Sequence, residues 1–549
     1  MAIVRFPKKE LEKILGIKNI ENLREKINLF GTHVESIDDR EIVLEILPNR
    51  PDLLSLQGFA RAFGAFCGKK VKKYFVEKPK KDYVVKIESS VNEIRPFTAC
   101  AIVKGIKFND EKIKAIIDVQ EKIHATIGRD RKKVAIGIYP LDKITLPITY
   151  KAEKPEEIRF IPLDAEREMS GIEILRRHPT GIKYRHLLEG KKKFPIFIDA
   201  NNQILSMPPI INSAITGKVT ETTRDVFVEC SGFDLNLLNK VLNILVTMLA
   251  DMGGKIYAMK LLYPNKPIFT PNLKPEKMRI SIANINKLLG LSLNEKEIEN
   301  LLERMEYEYK SGYVFIPPWR CDIMHEVDII EDVAIAYGYD NFKPELLNTM
   351  TIGEENKEEI FKRKIAEILV GLNMQELSTY HLVTKNEIEG LGIKRAIEVE
   401  KSKTDYKYLR PNMLCSLLRV LSHNIDAEYP QRVFEIGKVF NLDKKEETGI
   451  KESNHLIVAI ASATTNFTEI RQVLEYLARM LDVEIKIEEP NDDETDVFIK
   501  GRVGKVMFEK QSLGFLGEIH PAILKKFRLR MPLVALEIDI DQIIKKLKT

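Results

Sequence analysis

The segment PPWRCDIMHEVDIIEDVAIAYGYD, from Pro317 to Asp340, has the most distinctive pattern in the chain. Its prolines fix a turn, and the residues after them have helical periodicity, which predicts an acidic helix. On that helix Asp328, Glu331 and Asp332 are at positions i, i+3 and i+4, so their carboxylates share one face. Asp322 lies six residues before Asp328 and can fold back onto the same face. The four carboxylates would repel one another unless something neutralised them.

The spacing alone leaves two interpretations of this acidic face open. A hard divalent cation such as Mg²⁺ prefers carboxylate oxygens supplemented by water, and it would neutralise the four carboxylates. Acidic side chains in the first turn of a helix are also favoured by the helix dipole, and they usually face water. Glu326 lies off the shared face and fits the second interpretation better.

The sequence on either side of this helix predicts a small compact domain over residues 268–345. Pro267, Pro271 and Pro275 interrupt the chain before it. MRISIANINKLLG and LNEKEIENLLERM follow, and Asn294 is placed to cap the helix that the second of them predicts. A short strand, YVFIPP, then leads into the acidic helix.

Farther upstream, strand patterns dominate residues 85–265. Two helical patterns interrupt them, one from Glu111 to Ile127 and one from Leu235 to Leu249, which together predict a mixed α+β domain with its own core. The strand patterns are Tyr83 to Ile87, Ala99 to Ile106, Lys133 to Ile138, Phe194 to Ile198 and Asp225 to Cys230.

The two ends of the chain have different patterns. Residues 1–80 predict short helices and a strand from Glu41 to Leu47, followed by a packed helix for which Asp52 is a plausible N-cap. Residues 350–549 alternate between helical and strand patterns with a long antiparallel character. No internal repeat is visible, which excludes solenoid architectures.

Composition limits the class of protein. A chain of 549 residues with 44% apolar and 30% charged residues is typical of a folded protein of several domains. Basic residues outnumber acidic ones by only 86 to 81, so the net charge neither indicates nor excludes nucleic-acid binding. Solvated surface is the favoured interpretation of two basic clusters, Arg129 with Arg131, Lys132 and Lys133, and Lys191 with Lys192 and Lys193.

The five cysteines form no C-x-x-C pair, which argues against a zinc site or a disulfide framework and is typical of a reducing cytosol. No signal peptide is visible, and no run approaches the ~20 apolar residues that a membrane span needs. We therefore expect a cytoplasmic protein without membrane association.

The acidic segment resembles a motif of phenylalanyl-tRNA synthetase β subunits, which joins an arginine, four carboxylates and a Tyr-Gly-Tyr-Asp sequence. Here the arginine is Arg320, and the motif ends at Tyr337 to Asp340. The resemblance covers the whole chain, since PNRPDLLSLQGFARAF, LSMPPIIN, TRDVFVECSG, YLRPNML, QRVFEIGKVF, LGFLGEIHP and LVALEID all have counterparts in the family. It implies that Mg²⁺ binds Asp322, Asp328, Glu331 and Asp332, in a structural or assembly role.

The resemblance also implies a multidomain α+β fold. It consists of an N-terminal α/β domain (1–80), a mixed α+β editing domain (85–265), a small winged-helix-like domain that carries the acidic motif (268–345), and a degenerate class II synthetase core of antiparallel sheet with helices (350–549). The chain stops at Thr549, without space for the C-terminal anticodon-binding domain of bacterial relatives. We therefore expect the archaeal/eukaryal type.

The C-terminal core does not have the charges that a class II synthetic site needs. Adenylation spreads negative charge over the nucleotide phosphates, and such sites stabilise it with two arginines. Arg432 and Glu435 superficially match the first motif, but the late segment PLVALEIDIDQIIKK has Glu537 and no arginine. We therefore expect a non-catalytic core, in agreement with the family, whose aminoacylation site lies in the α subunit.

The resemblance also implies an editing site upstream, because the family has this second site in the β subunit. An apolar pocket rejects an added hydroxyl only weakly, so a second site that hydrogen-bonds the phenol is needed to remove tyrosine from the tRNA. Strand alternation places Val226, Val228 and Cys230 on one face of DVFVECSGFD and Phe227, Glu229 and Ser231 on the other. The turn ILSMPPIIN supplies Ser206 and Asn212. A strand with one solvated face is the alternative interpretation.

The chemistry of such a site is open. The family has an aspartate and a threonine where Glu229 and Ser231 stand, a departure that bears on pocket depth and tyrosine selectivity. The sequence shows no nucleophile–base pair, and surface or capping roles are favoured for His124 and His186. Catalytic residues are therefore not assigned, and we favour hydrolysis by a positioned water, assisted by a ribose hydroxyl of the tRNA.

The resemblance implies one function, and two alternatives stay open. The implied function is that of the β subunit of a phenylalanine–tRNA ligase. It acts with an α subunit, in two αβ pairs, with tRNA-Phe and Mg²⁺, while ATP and phenylalanine bind mainly to the α subunit, and this chain edits Tyr-tRNA-Phe. The alternatives are a non-catalytic tRNA-binding or assembly scaffold and a free-standing hydrolase of mischarged tRNA.

Overall fold

The computed structural model describes residues 2–491 and 496–547. They form two compact units, residues 1–346 and 347–549. Within the described ranges, no helix combines the length and the apolar character that crossing a bilayer requires.

The first unit begins with a three-stranded antiparallel sheet covered by helices. Its strands are ordered β1-β3-β2, and Phe59 and Phe63 of α3 stack in the core beneath them at 5.5 Å between ring centroids. Ser55 caps α3 by accepting a hydrogen bond from the Gly58 amide, so the prediction of Asp52 as the cap is wrong. Asp52 lies in a short 3₁₀ turn. The elements are β1 (Ala2–Pro7), α1 (Lys8–Leu15), α2 (Arg24–Leu29), β2 (His33–Ile37), β3 (Glu41–Ile46) and α3 (Leu56–Phe66).

The centre of the first unit is a large mixed sheet. Its main path runs β13-β12-β11-β8-β5-β15-β6-β14-β7, and β4 and β16 pair with β15. The elements are β4 (Val76–Glu77), β5 (Val84–Ile87), β6 (Phe97–Lys104), α4 (Asp110–Ala125), β7 (Val134–Pro140), β8 (Ile148–Glu153), β9 (Arg159–Phe160), β10 (Met169–Ser170), α5 (Gly171–Arg177), α6 (Pro179–Tyr184), β11 (Phe194–Ile198), β12 (Ile204–Met207), β13 (Ile211–Asn212), β14 (Val226–Gly232), α7 (Leu235–Asp251), β15 (Lys255–Leu262) and β16 (Pro267–Thr270).

Strand β14 lies between β6 and β7, antiparallel to both. Val226, Val228 and Cys230 belong to the core that includes α7, whereas Phe227 belongs to a second core on the other side. The predicted alternation is therefore confirmed. The alternative of a solvated face is wrong, because Glu229 and Ser231 are buried as well.

Helix α7 is apolar on nearly all sides, which fits its position at a junction. Asp234 caps it by accepting hydrogen bonds from two backbone amides. The core around it also contains residues of the N-terminal sheet and of the acidic-motif region. The expectation that residues 85–265 have a core of their own holds for two other clusters, but this one is shared.

The end of the first unit combines three helices with a three-stranded sheet ordered β17-β19-β18. Asn294 caps α9 in a capping box with Glu297, which confirms the predicted cap. The elements are β17 (Glu276–Arg279), α8 (Ile282–Leu289), α9 (Glu295–Arg304), β18 (Glu308–Lys310), β19 (Tyr313–Ile316) and α10 (Glu326–Tyr337).

The second unit is built on a seven-stranded sheet ordered β20-β24-β25-β29-β28-β27-β26, antiparallel except between β20 and β24. A small sheet, β21-β23-β22, accompanies it. The elements are α11 (Lys357–Gly371), β20 (Gln375–Glu376), β21 (Leu382–Val383), α12 (Lys385–Gly390), β22 (Ile397–Glu398), β23 (Tyr408–Leu409), α13 (Leu414–His423), β24 (Gln431–Leu442), β25 (Ile450–Ala461), α14 (Phe467–Met480), β26 (Ile485–Glu488), β27 (Phe498–Phe508), β28 (Gln511–Ile519), α15 (Pro521–Lys526), β29 (Leu533–Asp539) and α16 (Asp541–Leu547).

Candidate functional site

Tyr139 contacts candidate residues that lie on separate strands of the large sheet. The sequence patterns did not single out this tyrosine. Its hydroxyl lies 3.2 Å from Oε1 of Glu229 on β14 and 3.3 Å from Oδ1 of Asn212 on β13. Asn212 in turn pairs with Ser206 of β12, and the hydroxyl of Ser206 lies beside that of Tyr139. Three of the four predicted residues therefore surround one buried phenol.

Gly137 makes this position of the tyrosine ring possible. Gly137 is the β7 partner of Glu229 in the antiparallel register. A Cβ atom at residue 137 would lie 2.1 Å from the hydroxyl oxygen of Tyr139, so the ring lies across a space that only glycine leaves. A tyrosine two residues after a glycine in a strand is the sequence signal that could have found this contact.

Arg95 holds the fourth candidate, Ser231. Its Nε donates to Ser231 Oγ at 3.1 Å, and its Nη2 donates to the carbonyl oxygen of Ser231 at 2.5 Å. Burial lowers the pKa of Arg95 to about 10, partly opposed by Tyr150 and Glu229, so the guanidinium remains charged at neutral pH. Arg95 precedes β6, and sequence periodicity gives no indication that it is buried.

Two polar atoms in this cluster are buried without a hydrogen-bond partner, Oγ of Ser206 and Oε2 of Glu229. Leaving a buried polar atom unpaired costs about 1–3 kcal/mol, which a polar ligand group can offset. Burial raises the pKa of Glu229 to about 8, against the charge of Arg95 and the hydrogen bond from Tyr139. Glu229 is therefore mainly protonated at neutral pH and can donate as well as accept a hydrogen bond.

The two histidines singled out in this region have ordinary structural positions. His186 is exposed, as predicted. His124 is buried rather than exposed or capping: its Nε2 accepts a hydrogen bond from the Ile136 amide at 2.9 Å, and Nδ1 lies 3.3 Å from Glu121. Burial lowers the pKa of His124, so its ring stays neutral.

At the acidic motif, a guanidinium occupies the position expected of a cation. Arg320 is fully buried, and its Nε and Nη2 donate to both carboxylate oxygens of Asp322 at 2.8 Å. Its Nη2 also donates to Oδ2 of Asp332 at 2.7 Å, and Tyr307 donates to the same oxygen. The structure thus brings Asp322 and Asp332 together around Arg320.

The other two carboxylates of the motif do not join this pair. Asp328 accepts hydrogen bonds from the amides of Met324 and His325 at the start of α10, and Glu331 is exposed. Across residues 2–491 and 496–547, no group of three or more histidine, cysteine, aspartate or glutamate side chains is arranged to hold a metal ion. As the side chains stand, they do not fit a magnesium site of four carboxylates, which stays a prediction.

In the second unit, the charged residues that were compared with a class II synthetic site are paired internally. Glu435 accepts hydrogen bonds from the buried Arg410 and from Thr379. Arg432 is paired with Glu469 at 2.6 Å. Glu537 accepts hydrogen bonds from the backbone amides of two residues at the start of α13, and its Oε1 lies 2.9 Å from Nδ1 of His455. These contacts leave the side chains engaged within the fold.

Comparison with known proteins covers all of these regions. Residues 81–244 match the B3/4 domain, residues 278–339 the tRNA synthetase B5 domain, and residues 344–540 the phenylalanyl tRNA synthetase beta chain CLM domain.

Full-length relatives are similar throughout. The phenylalanine–tRNA ligase beta subunit of Archaeoglobus fulgidus is 38% identical over 555 residues, which cover 98% of each chain. That of Pyrococcus furiosus is 40% identical over 501 residues, or 89% of each chain. The crystal structure of an N-terminal fragment of the Pyrococcus horikoshii phenylalanyl-tRNA synthetase beta subunit is 39% identical, with a TM-score of 0.58, and covers 61% of this chain and 99% of the fragment. The chain therefore belongs to the family of phenylalanine–tRNA ligase β subunits of the archaeal/eukaryal type.

Proposed function

We propose that this chain acts with an α subunit in the ATP-dependent attachment of phenylalanine to tRNA-Phe, and that its large mixed sheet hydrolyses Tyr-tRNA-Phe. The full-length relatives are named as ligase subunits, which supports the first part. In this proposal two αβ pairs assemble in the cytoplasm, and ATP and phenylalanine bind mainly to the α subunit.

The unpartnered atoms of Ser206 and Glu229 carry the second part of the proposal. A phenolic hydroxyl could accept a hydrogen bond from protonated Glu229 and donate to Ser206, which would satisfy both buried atoms. Phenylalanine has no such hydroxyl and would leave both atoms unpaired. Rejection of this kind is far stronger than what an apolar pocket achieves against one added hydroxyl. The arrangement therefore favours tyrosine over phenylalanine.

The proposed reaction is ester hydrolysis by water. A water oxygen attacks the ester carbonyl, the bond from that carbon to the ribose oxygen breaks, and the ribose oxygen takes up a proton. The chain contributes binding and orientation through Ser206, Asn212, Glu229 and Ser231, while a ribose hydroxyl of the tRNA assists the water. The buried tyrosine and arginine hold these side chains in place.

Synthesis is assigned to the α subunit. The degenerate class II character of residues 350–549 belongs to this proposal and is supported by the internal pairing of Arg432, Glu435 and Glu537. Arginines that are held in ion pairs with glutamates are not available to nucleotide phosphates.

Magnesium binding at Asp322, Asp328, Glu331 and Asp332 stays in the proposal on the strength of the family resemblance alone. It requires the carboxylates to be released from Arg320 and from the backbone amides. Magnesium titration of the wild-type chain and of Asp328→Ala/Glu331→Ala tests it. Equal occupancy in both proteins would rule these ligands out.

The editing proposal is tested with the full chain, alone and co-expressed with its α subunit, on Tyr-tRNA-Phe and Phe-tRNA-Phe. We expect faster loss of tyrosine than in buffer, and little loss of phenylalanine. Replacing Glu229 by leucine should remove the preference, while the exposed-site control Glu156→Leu should not. Decay equal to that in buffer would leave the scaffold function. The free-standing hydrolase would be favoured by two results together. The chain alone would hydrolyse Tyr-tRNA-Phe, and the chain co-expressed with the α subunit would fail to charge tRNA-Phe with phenylalanine.

A further inference from the structure

The two basic clusters seen in the sequence lie on either side of one short segment, residues 93–95. Lys191 Nζ donates to the carbonyl oxygen of Glu93 at 3.2 Å. Arg95 donates to the carbonyl oxygens of Lys132 and Arg131 at 3.4 and 3.3 Å. The clusters are therefore neighbours in space, although four strands and two helices separate them in the sequence.

The charge of this region exceeds that of the whole chain. Residues 129–133 and 181–193 contain nine basic and two acidic side chains, a formal charge of +7, whereas the chain carries +5. Among the described residues, only Arg131 of these nine forms an ion pair, with Glu121 at 2.8 Å. The other eight are exposed, and we call them the basic patch: Arg129, Lys132, Lys133, Lys183, Arg185, Lys191, Lys192 and Lys193.

The backbone of the turn at residues 129–131 has an unfavourable left-handed conformation. Arg129, Asp130 and Arg131 have positive φ values of 47°, 52° and 63°. Left-handed backbone costs about 1–2 kcal/mol for each such residue, and it persists only where surrounding contacts impose it. Here the Lys133 amide donates to Gly128 across the turn, and Arg95 binds two of its carbonyls. The direction in which the turn presents its side chains is therefore fixed.

The same contacts tie the patch to the candidate site. Arg95 binds Ser231 by its side chain and its carbonyl, as well as the basic turn. Arg131 donates to the carbonyl oxygen of Ile210 at 2.8 Å, in the turn that connects Ser206 to Asn212. Its guanidinium also lies 4.4 Å from the ring centroid of Tyr184 on α6. Arg95 and Arg131 thus connect both groups of candidate residues to the turn that carries Arg129, Lys132 and Lys133 of the patch.

We propose that the basic patch binds phosphates of the single-stranded, aminoacylated end of tRNA and so directs the esterified ribose to the site between Ser206 and Glu229. Exposed cations without carboxylate partners bind a phosphodiester chain by releasing its counterions, and they do so without sequence preference. The inference rests on the proposed editing function, because it assigns the surface by which that site would receive its substrate.

The experiment compares the full-length wild-type chain with Lys132→Gln/Lys133→Gln/Lys192→Gln/Lys193→Gln. The matched control, Lys70→Gln/Lys78→Gln/Lys80→Gln/Lys81→Gln, removes the same charge from exposed lysines of the same unit. For the patch variant we expect KM for Tyr-tRNA-Phe to rise at least about tenfold, with kcat little changed. The salt dependence of binding to uncharged tRNA-Phe should become shallower by about one in log–log slope for each phosphate that the variant no longer binds.

A small substrate separates docking from chemistry. Hydrolysis of the tyrosyl ester of adenosine, which carries no phosphate for the patch to bind, should be equal in all three proteins. A patch variant that matches the wild type in KM and in salt slope would overturn the inference and leave the editing function standing. If the wild type hydrolyses no Tyr-tRNA-Phe, the editing function fails, and the salt slope alone decides about the patch. A patch variant that keeps its affinity for tRNA but no longer co-purifies with the α subunit would assign the patch to a protein interface. That result would also overturn the inference.

Discussion

At the scale of single residues, the protonation state of Glu229 depends strongly on the residues around it. The position of Glu229 opposite the apolar face of β14 was predictable from strand alternation. Its protonation state was not, because it depends on burial and on two residues from other parts of the chain, Arg95 and Tyr139. Burial raises the pKa of Glu229 to about 8, against the effects of both residues. A glutamate in a strand pattern gives no indication of those neighbours.

The raised pKa of Glu229 has a direct consequence for stability. A carboxyl group that is protonated in the fold but ionised in the unfolded chain stabilises the fold at low pH, and this stability is lost as the pH rises from the ordinary value of 4.5 through about 8. We expect Glu229→Gln to remove this contribution to the pH dependence of stability. At pH 9 its free energy of unfolding should exceed that of the wild type by on the order of 3–5 kcal/mol. Urea unfolding at pH 5 and pH 9 measures it. Equal pH dependence in both proteins would contradict the assignment.

Tyr139→Phe tests the role of the buried phenol as a positioning group. The ring remains, but Glu229 loses its hydrogen-bond donor, so the carboxyl group is held less firmly and its pKa rises further. We expect KM for Tyr-tRNA-Phe to rise about five- to tenfold, the equivalent of one hydrogen bond, with kcat retained. Tyr263→Phe is the control, since it loses two hydrogen bonds to Thr98 without touching Glu229. The same KM change in both variants would indicate a general structural effect.

At the scale of elements, the carboxylates of α10 were predicted from the sequence, but their hydrogen-bond partners were not. Three carboxylates on one face were predicted from helical spacing, and the helix is present. Their partners were not predicted, because Arg320 lies in the preceding turn and Tyr307 lies between α9 and β18. Burial alone would raise the pKa of Asp322, but the hydrogen bonds and charge of Arg320 outweigh it and lower that pKa.

Arg320→Gln should therefore destabilise the first unit strongly. It leaves Asp332 buried without its cationic partner, a change that costs about 3–5 kcal/mol. The contribution of Asp322 is fully present above its ordinary pKa of 3.8 and is lost as the pH falls through the lower value of the folded chain. The stability difference between wild type and variant should consequently shrink in strong acid. The exposed Arg279→Gln is the control, and a cost below about 1 kcal/mol for Arg320→Gln would contradict the network.

At the scale of the whole molecule, the chain divides at residue 346 into two units, each with its own apolar clusters. The three regions before that point share the core around α7, so we expect the first unit to unfold cooperatively. Sequence patterns indicated several domains but could not show which of them are joined, because shared cores depend on contacts between distant segments.

Calorimetry tests this division. Residues 347–549 expressed alone should give a cooperative transition that matches one of two transitions in the full chain, because each unit buries its own apolar clusters. Arg320→Gln should lower only the other transition. A single transition that Arg320→Gln shifts as a whole would show that the two units unfold together.

Sequence patterns were sufficient to predict the family, several of the strands and helices, the cap at Asn294 and the alternation along β14. Those features depend on neighbouring residues and on periodicity, which a single chain displays directly. Only the folded structure shows that Arg320 pairs with two of the four carboxylates, that Tyr139 and Arg95 hold the candidate site, and that two distant basic segments form one patch. Each of these depends on the pairing of charges and hydrogen bonds between segments far apart in sequence, and local spacing does not encode that pairing.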